Sequence, residues 1–469
     1  MPADMSTSGN KKNTIIACAL LAVLIITKIM LRPFGGLDEL WLYNQSRGIA
    51  MGFVPYKDYQ LAIMPLFMVL FALPLYIVRN LFVYRICSAI MLFVMGFTYY
   101  KISSRETGHM WGLLASLLFV AFMDFATYNG LMVLILFFIF ILFGKLNTRN
   151  AVIAGVLCGL ALLCRQTSGV FLLIAVIALM CADKPLRKFI LPCLAGWGTV
   201  MVIFAACLFA TGSFSAFWDC CFFALLAPGE KNSGFLADGI AVDLLTVIGL
   251  IASVYLIKKN HDKNDILHLV FGLVLITVAV PIVDMMHLCY AAAWFMIPVF
   301  KLMKNSVSES LLKIVIAAMS IVLLFLNVYE LPKTTLDNRY KEFALIPVES
   351  ADLDYYENLI AINDKYENEG YRVVTLTCGR CIISMMTDSY DLNYDMFLVG
   401  HEGTRTPVSF IEEEINNGNV IFAIPDDYDE ENWENPSGIL SYIQSACDPV
   451  DQYDAFIWYV PRASSSAAA

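Results

Sequence analysis

Charged residues are scarce in this sequence. Only 15% of its 469 residues are Asp, Glu, Lys or Arg, whereas 59% are hydrophobic. Soluble domains carry about 25% charged and 45–50% apolar residues, so the composition excludes an ordinary soluble protein. It predicts a mainly α, polytopic protein embedded in a lipid bilayer.

A signal-peptide cleavage site is also absent near the amino terminus. Residues 1–12 are polar and end in Lys11 and Lys12. The apolar run from about 13 to 32 is long enough to span a bilayer and lacks a small-residue cleavage site. We therefore expect a first transmembrane helix with a cytoplasmic amino terminus.

Basic residues are few in the last third of the chain. Residues 331–469 contain 25 acids and 8 bases, whereas residues 1–330 contain 16 acids and 23 bases. This asymmetry predicts a membrane domain over 1–330, whose first extracytoplasmic loop is 33–62, and an acidic domain over 331–462. Residues 463–469 form a low-complexity tail. An acidic domain argues against nucleic acid as a partner.

Most of the thirteen cysteines fall in apolar surroundings, where a free Cys behaves as a small hydrophobe. Only Cys378, Cys381 and Cys447 lie in the polar domain. Cys378 and Cys381 have the spacing of a redox motif. A structural disulfide or two buried thiols is the favoured interpretation, and two cysteines are too few for a tetrahedral zinc site.

Long apolar runs dominate the first 330 residues. They fall near 13–32, 62–79, 83–100, 110–127, 130–145, 150–167, 169–182, 189–211, 240–257, 265–283, 288–302 and 311–328. If all twelve cross, most of the basic loop residues face outward, against the positive-inside rule. If 62–79 enters and leaves on one side, fifteen bases face the cytoplasm and eight face outward.

Two prolines make segment 62–79 the natural exception. Pro65 and Pro74 each remove a helix hydrogen bond, and broken backbone is tolerated at membrane depth where protein buries it. The sequence therefore predicts about 11 to 13 transmembrane helices, with eleven preferred. One segment is re-entrant or lies along the surface, and the carboxy-terminal domain is extracytoplasmic.

With this topology, polar residues at helix ends gather on the outer face. They are Asp38, Glu39, Tyr56, Lys57, Asp58, Arg85, Tyr128, Asn129, Arg165, Gln166, Asp284 and His287. Such groups are functional candidates because unpaired polar groups are unfavourable in a membrane. The structural alternatives are an anchor for Arg79 or Arg85, a helix cap for Asp38, Asp124 or Asn129, and an ion pair between Lys57 and Asp58.

This set combines acids with bases. A carboxylate can take a proton from an acceptor hydroxyl. Arginine and lysine can hold a phosphate and stabilise it as it leaves. Beside a groove that admits a lipid chain, the combination suits sugar transfer from a lipid phosphate on the outer face of a membrane.

Several short motifs strengthen this interpretation. Asp38 and Glu39 follow the first helix, GFVPYKDY occupies 52–59, and Pro65 opens the next apolar run. This pattern resembles polyprenyl-phosphate-sugar-dependent glycosyltransferases of the GT-C type, including protein O-mannosyltransferases and aminoarabinose transferases. Residues 159–169 (GLALLCRQTSG) and 284–298 (DMMHLCYAAAWFMIP), with the YNG after 110–127, resemble further family blocks. The resemblance covers about 13–300.

The resemblance implies an inverting transferase of the plasma membrane that uses a sugar on undecaprenyl or a related polyprenyl phosphate. It implies Asp38 as general base, with Glu39 as its neighbour and stand-in. It implies that Lys57, Arg85, Arg165 and His287 bind the donor phosphate. It also implies further substrate contacts from Tyr56, Asp58, Tyr128, Asn129, Gln166 and Asp284. The acceptor, a glycan, lipid or protein, stays open. No cofactor is required, although the acids would accommodate a divalent cation.

Strand-like and helix-like patterns alternate in the acidic domain. Segments 370–378, 418–425 and 456–460 predict strands, and 408–416 and 437–446 predict amphipathic helices, which together indicate a small α/β domain.

Two other functions fit a polytopic envelope protein. One is a polysaccharide polymerase or ligase, which usually relies on a long late loop rather than an acidic pair after the first helix. The other is a lipid-sugar carrier, which favours paired halves with broken helices in matching positions. The only such break predicted here is 62–79, so transfer is the preferred function.

Overall fold

The computed structural model describes residues 7–33, 37–59, 61, 63–223, 240–280, 284–329, 331, 334–336, 339–377, 380–389, 407–428 and 438–462. In the membrane part these residues form helices α1 Thr7–Met30, α2 Leu37–Ala50, α3 Leu66–Leu75, α4 Leu81–Thr107, α5 His109–Phe122, α6 Tyr128–Phe143, α7 Thr148–Leu162, α8 Gln166–Ala182, α9 Ile190–Thr211, α10 Phe214–Trp218, α11 Ile240–Asn260, α12 Lys263–Ile276, α13 Met285–Met303 and α14 Glu309–Val328. The predicted mainly α architecture is confirmed.

Six helical stretches of the described chain are long and apolar enough to cross a membrane. They are Lys11–Met30, Leu81–Thr107, Lys184–Thr211, Ile240–Asn260, Met285–Met303 and Glu309–Val328. Shorter apolar helices of 10–17 residues lie between them. The chain is therefore a multi-pass membrane protein. The preferred total of eleven spans stays a prediction, because helix length alone does not decide whether the shorter helices cross.

Segment 62–79 forms only a short helix. Helix α3 has ten residues, which at 1.5 Å per residue is about 15 Å, half the hydrocarbon thickness of a bilayer. Pro65 stands immediately before it and Pro74 lies in its last turn. The Leu66 amide donates to the Leu163 carbonyl at 3.0 Å, so protein surrounds the start of the helix. These features fit the predicted segment that does not cross.

Aromatic side chains fill the centre of the bundle where α4, α5, α6 and α13 meet. The Tyr99 ring stacks on Phe119 with centroids 4.9 Å apart, and the Phe137 ring stacks on Trp294 at 5.5 Å. All four residues are buried. Large aromatic side chains bury much apolar area and therefore stabilise this packing between helices.

Glycines bring α7 and α9 into backbone contact. A Cβ at Gly155 would overlap the Cys193 carbonyl, and one at Gly196 would overlap the Val152 carbonyl. Small residues allow such close crossings in membranes, where packing rather than water exclusion drives helix association. The arrangement depends on the absence of a side chain at these positions.

We expect Gly155→Leu to destabilise the folded protein by about 2–3 kcal/mol or more, because overpacking forces the two backbones apart. Thermal unfolding in detergent measures this. Gly198→Leu on α9 is the matched control, since a Cβ there meets nothing within 4 Å. Equal unfolding temperatures for the two variants would contradict the importance of this crossing.

The carboxy-terminal part forms a small α/β unit. Its helices are α15 Ser350–Asn368, α16 Arg380–Met386, α17 Pro407–Asn417 and α18 Ile439–Ala446, and its strands are β1 Thr335–Leu336, β2 Pro347–Val348, β3 Arg372–Thr375, β4 Val420–Pro425, β5 Cys447–Tyr453 and β6 Phe456–Pro461. The four-stranded sheet has the order β3-β4-β6-β5, in which β3 and β4 are parallel and the other pairs antiparallel. The predicted α/β class is confirmed.

Five elements of this unit were not predicted from the sequence: strands β1, β2 and β5 and helices α15 and α16. Strand β5 is polar and carries Pro449, which suits an edge strand that packs one face only. Cys381 is buried in α16, but Cys378 lies outside the described residues, as does the tail 463–469. The question of a Cys378–Cys381 disulfide therefore stays open.

Candidate active site

The two acids after the first helix occupy the first turn of α2 and have different surroundings. The Glu39 carboxylate is buried and receives both Nε (3.0 Å) and Nη2 (2.8 Å) of Arg85, which is also buried. Arg85 further donates to the carbonyls of Arg32 (2.5 Å) and Pro33 (3.4 Å). This bidentate pair joins the start of α2 to α4 and to the chain leaving α1.

The Glu39–Arg85 ion pair bears on the predicted roles of Arg85 as a phosphate ligand and of Glu39 as a stand-in base. A phosphate contact from Arg85 would require its guanidinium to leave Glu39, and Glu39 could act as a stand-in base only after the same separation. The geometry favours a positioning role for both residues.

Loss of one member of this pair should be strongly destabilising. We expect Arg85→Met to lower the free energy of unfolding by about 3–5 kcal/mol, because the Glu39 charge stays buried without a partner. The double variant Glu39→Leu with Arg85→Met should recover much of the loss. Chemical or thermal unfolding in detergent provides the measurement.

Arg79→Met is the matched control for this prediction. Arg79 is partly exposed and its Nη2 lies 3.6 Å from the exposed Asp388, so we expect its removal to change stability by less than about 1 kcal/mol. If Arg85→Met and Arg79→Met lowered the free energy of unfolding equally, the Glu39–Arg85 pair would contribute no more to stability than a partly exposed arginine.

Asp38, by contrast, is exposed. Protein around the carboxyl displaces part of its hydration and raises its pKa, and the charge of Asp284 raises it further. His287 and Arg32 lie close enough to lower it, but the net shift of the Asp38 pKa is upward. Asp38 is therefore the acid of the pair that substrate can reach.

Asp284 and His287 form a second acid–base pair at the start of α13. Asp284 caps the helix by accepting from the His287 amide at 2.8 Å, and its carboxylate also contacts His287 Nδ1 at 2.8 Å. Desolvation would raise the pKa of Asp284, but the hydrogen bonds and charge of His287 outweigh it and the pKa is lowered. The carboxylate orients the imidazole and leaves Nε2 for another contact.

Arg165 is a buried cation at the start of α8. Its Nη1 donates to Asn129 Oδ1 at 2.6 Å and its Nη2 to the Val280 carbonyl at 3.0 Å, while the guanidinium carbon lies 5.9 Å from the centre of the Tyr128 ring. The residue is only 8% exposed, and its Nε has no hydrogen-bond partner among the residues that the structure describes. In the described part of the chain, no carboxylate approaches it within 4 Å.

Burial of a cation without a counter-ion is unfavourable, which makes Arg165 a candidate for binding an anion. The helix dipole at the start of α8 favours negative charge at the same point. Tyr128 and Asn129, both predicted from the sequence, orient the guanidinium. The predicted Asn129 cap is wrong, because Asn129 lies inside α6 and Thr127 caps that helix by accepting from the Gly130 amide.

The loop 52–59 is held largely by its own contacts. The Tyr56 hydroxyl donates to the Ile63 carbonyl at 2.7 Å, and Asp58 accepts from the Val54 amide at 2.7 Å. No ion pair joins Lys57 to Asp58 within this described loop, so that alternative is wrong. Lys57 is exposed.

Cys221 links Gln166 to the chain that follows this loop. Its Nε2 donates to the Cys221 carbonyl at 3.3 Å, and the Cys221 thiol faces the Leu61 carbonyl at 3.6 Å. The Tyr56 ring packs edge-on against Phe217 at 5.2 Å in the same region. Tyr56 and Gln166 thus both contact the segment 217–221, whereas Asp58 accepts from its own loop.

The sequence patterns missed two cations on α1 and its end. Lys28 Nζ lies 3.2 Å from Asp124, which is therefore an ion-pair partner rather than the predicted helix cap. The Arg32 guanidinium lies 5.4 Å from the centre of the Phe125 ring. Their spacing of four residues at the carboxyl end of an apolar run could have revealed them, because it places both on one side of a helix.

These side chains come together from separate helix ends. The carboxyl ends of α1 and α7 and the amino ends of α2, α4, α6, α8 and α13 all contribute. Within this arrangement Asp38, Arg165 and the Asp284–His287 pair provide an exposed acid, a buried cation and an oriented imidazole. Such a set can take up a proton and stabilise an anion.

Comparisons with solved structures show which fold produces this arrangement. The chain resembles the Archaeoglobus fulgidus oligosaccharyltransferase, solved in complex with Zn and sulfate, with a TM-score of 0.56 and 12% identity over 95% of this chain and 73% of that one. It also resembles ArnT from Cupriavidus metallidurans bound to undecaprenyl phosphate, with a TM-score of 0.52 and 11% identity over 98% and 99% of the two chains.

The chain has the GT-C fold. No protein-family model matches its sequence, and neither does the sequence of any curated protein. The GT-C similarity extends over both the membrane helices and the carboxy-terminal unit, because it covers nearly the whole chain.

The described residues of this site do not form a ready-made metal centre. Within the ranges that the structure describes, no group of three or more His, Cys, Asp and Glu side chains is placed to hold an ion. Asp38, Asp284 and His287 approach one another without forming such a group.

Proposed function

We propose that this protein is a membrane glycosyltransferase that moves a sugar from a polyprenyl-phosphate donor to a cell-envelope acceptor, with inversion at the anomeric carbon. The observation that carries the proposal is Arg165, a buried cation with no carboxylate partner among the described residues. Its neighbour Tyr128 lies within electrostatic range of the accessible acid Asp38. The similarity to a structure with bound undecaprenyl phosphate supports a lipid-phosphate donor.

Each step of the transfer has a candidate residue. Asp38 accepts the proton of an acceptor hydroxyl, whose oxygen attacks the anomeric carbon from the side opposite the phosphate. The bond between that carbon and the phosphate oxygen breaks, and its electron pair leaves with the polyprenyl phosphate. Arg165 stabilises the departing charge, and His287 can donate a further hydrogen bond to it.

Two predicted phosphate ligands have less support. Arg85 is already paired with Glu39, and we propose that it positions α2 instead. Lys57 is exposed in the loop 52–59 and stays a candidate contact for the donor or acceptor.

We also propose that the site faces the outside of the plasma membrane. Its residues lie at one end of their helices, opposite the end to which the distribution of Lys and Arg assigns the cytoplasm. A cytoplasmic amino terminus and an extracytoplasmic carboxy-terminal unit follow. A carboxy-terminal tag that proved accessible only after cell permeabilisation would contradict this orientation.

A transfer assay tests the function directly. Purified wild-type and Asp38→Asn proteins are offered a panel of polyprenyl-phosphate sugars with envelope fractions as acceptors, and release of free polyprenyl phosphate is measured. We expect release by the wild-type protein alone, with the panel identifying the sugar. Failure of both proteins to bind or consume any donor would favour a polymerase, ligase or carrier instead.

The decrease in kcat/KM at low pH should follow the protonation of Asp38. The carboxylate must be ionised to accept a proton, so kcat/KM falls as pH decreases through its pKa. Because desolvation raises the pKa of Asp38, we expect the midpoint above the ordinary aspartate range. His287→Gln removes a neighbour that lowers this pKa and should move the midpoint upward. An unchanged midpoint in His287→Gln would show that the group titrating at low pH is not Asp38.

A further inference from the structure

Helix α2, which carries Asp38, is held by two buried ion pairs. Glu39–Arg85 fixes its first turn to α4. The second pair involves Arg47, which lies nine residues after Asp38, or about 13.5 Å along the helix axis. The Arg47 side chain is fully buried, and its Nε lies 2.7 Å from Oε1 of Glu342.

The carboxy-terminal part of the chain supplies the hydrogen-bond partners of this second anchor. Glu342 lies in a 3-10 turn, Lys341–Phe343, and its other oxygen accepts from the Tyr43 hydroxyl at 2.7 Å. The remaining nitrogens of Arg47 donate to Ser389 (2.7 Å), Ser384 (3.3 Å) and Asp388 (3.1 Å). We call Tyr43, Arg47 and Glu342 the α2 clamp.

The clamp also contacts α4, the partner of the first anchor. The Tyr43 ring meets Tyr84 edge-on with centroids 5.5 Å apart, and Tyr84 precedes Arg85. Asn80, which caps α4, donates through Nδ2 to the Lys341 carbonyl at 2.7 Å. The turn that carries Glu342 is therefore fixed to α4 while it holds the far end of α2.

We propose that Glu342 is a positioning residue, through which the carboxy-terminal unit sets the placement of α2 and hence of Asp38. This inference rests on the proposed function. A helix anchored only at Glu39 could pivot, and a displacement of about 1 Å at a reacting group can lower a rate about 100-fold. The carboxy-terminal unit would thus contribute to turnover without touching the donor.

Glu342→Gln tests the clamp, because it keeps the shape and hydrogen-bonding oxygen of the side chain and removes its charge. We expect kcat to fall about 10- to 100-fold while the KM for the donor stays within about twofold. Amide hydrogen exchange in α2 should become about tenfold faster. Glu369→Gln makes the same charge change at an exposed position of the same unit and should alter neither measurement.

Tyr43→Phe is the milder second variant. It removes one hydrogen bond to Glu342 and keeps the ring against Tyr84, so a change of a few-fold in the same direction is expected. It also supplies the comparison if Glu342→Gln does not fold. Unchanged kcat or unchanged α2 exchange in a folded clamp variant would overturn the inference.

The two measurements separate this inference from the proposed function. Hydrogen exchange needs no substrate, so it decides whether Glu342 holds α2 even if no donor is consumed. A wild-type protein that releases no polyprenyl phosphate would refute the transfer reaction. Faster α2 exchange with unchanged turnover would instead refute only the positioning role.

Discussion

Asp38→Asn should lower kcat about 1,000-fold while donor binding and folding are retained. The amide cannot accept the proton of the acceptor hydroxyl, and removal of a general base typically reduces a rate 100- to 10,000-fold. The substitution is nearly isosteric and the side chain is exposed, so little packing is lost. Single-turnover release of polyprenyl phosphate measures the chemical step, and ligand-induced thermal stabilisation measures donor binding.

The control for this substitution is Asp364→Asn, an exposed aspartate on α15. It should leave kcat unchanged. Asp38→Glu should keep partial activity, because the base is present but displaced by one methylene. Full turnover in Asp38→Asn would remove Asp38 as the base, and a loss of folding would assign it the structural role of a helix cap.

Arg165→Gln should weaken donor binding about 100-fold. A charge-assisted hydrogen bond contributes about 1.5–3 kcal/mol, which corresponds to about 10- to 150-fold in affinity. Substrate-free stability should change little or increase, because no carboxylate within 4 Å of Arg165 in the described chain loses its partner. Titration with polyprenyl phosphate and thermal unfolding of the substrate-free protein measure the two effects.

This combination distinguishes Arg165 from Arg85. Arg85→Met should destabilise the protein, whereas Arg165→Gln should chiefly affect the ligand. Arg165→Lys should bind with intermediate affinity, since lysine supplies the charge without the planar, forked donors. Arg149→Gln, at an exposed position on the opposite end of α7, should have neither effect. Donor affinity unchanged in Arg165→Gln, with a large loss of stability, would contradict the phosphate site.

Hydropathy is a local property, which is why the fold class could be predicted from the sequence. The apolar runs, the two prolines in 62–79 and the shift in composition near 331 each depend only on neighbouring residues. The missed elements are of two kinds: short ones such as α16, which is almost wholly buried, and longer ones with many polar residues. Strand β5 and helix α15 carry many polar residues, and only their contacts with the sheet order them.

The candidate site was partly predictable for the same reason. Polar residues at the ends of apolar runs can be recognised in the sequence because their neighbours are apolar. The structure places Asp38, Arg165, Asp284 and His287 in one cluster. Lys28 was missed because it lies inside an apolar run that otherwise predicts only a span. Its partner Asp124 is almost 100 residues away, and no local pattern connects the two.

The sequence by itself determined that this is a polytopic helical protein with an acidic pair after its first helix and a separate α/β unit at its end. Only the tertiary structure decided which acid of the pair is accessible. Successive residues on a helix are rotated by about 100°, so Asp38 and Glu39 must face different surroundings. Packing against Arg85 buries Glu39, and Glu342, some 300 residues away, anchors the far end of the same helix.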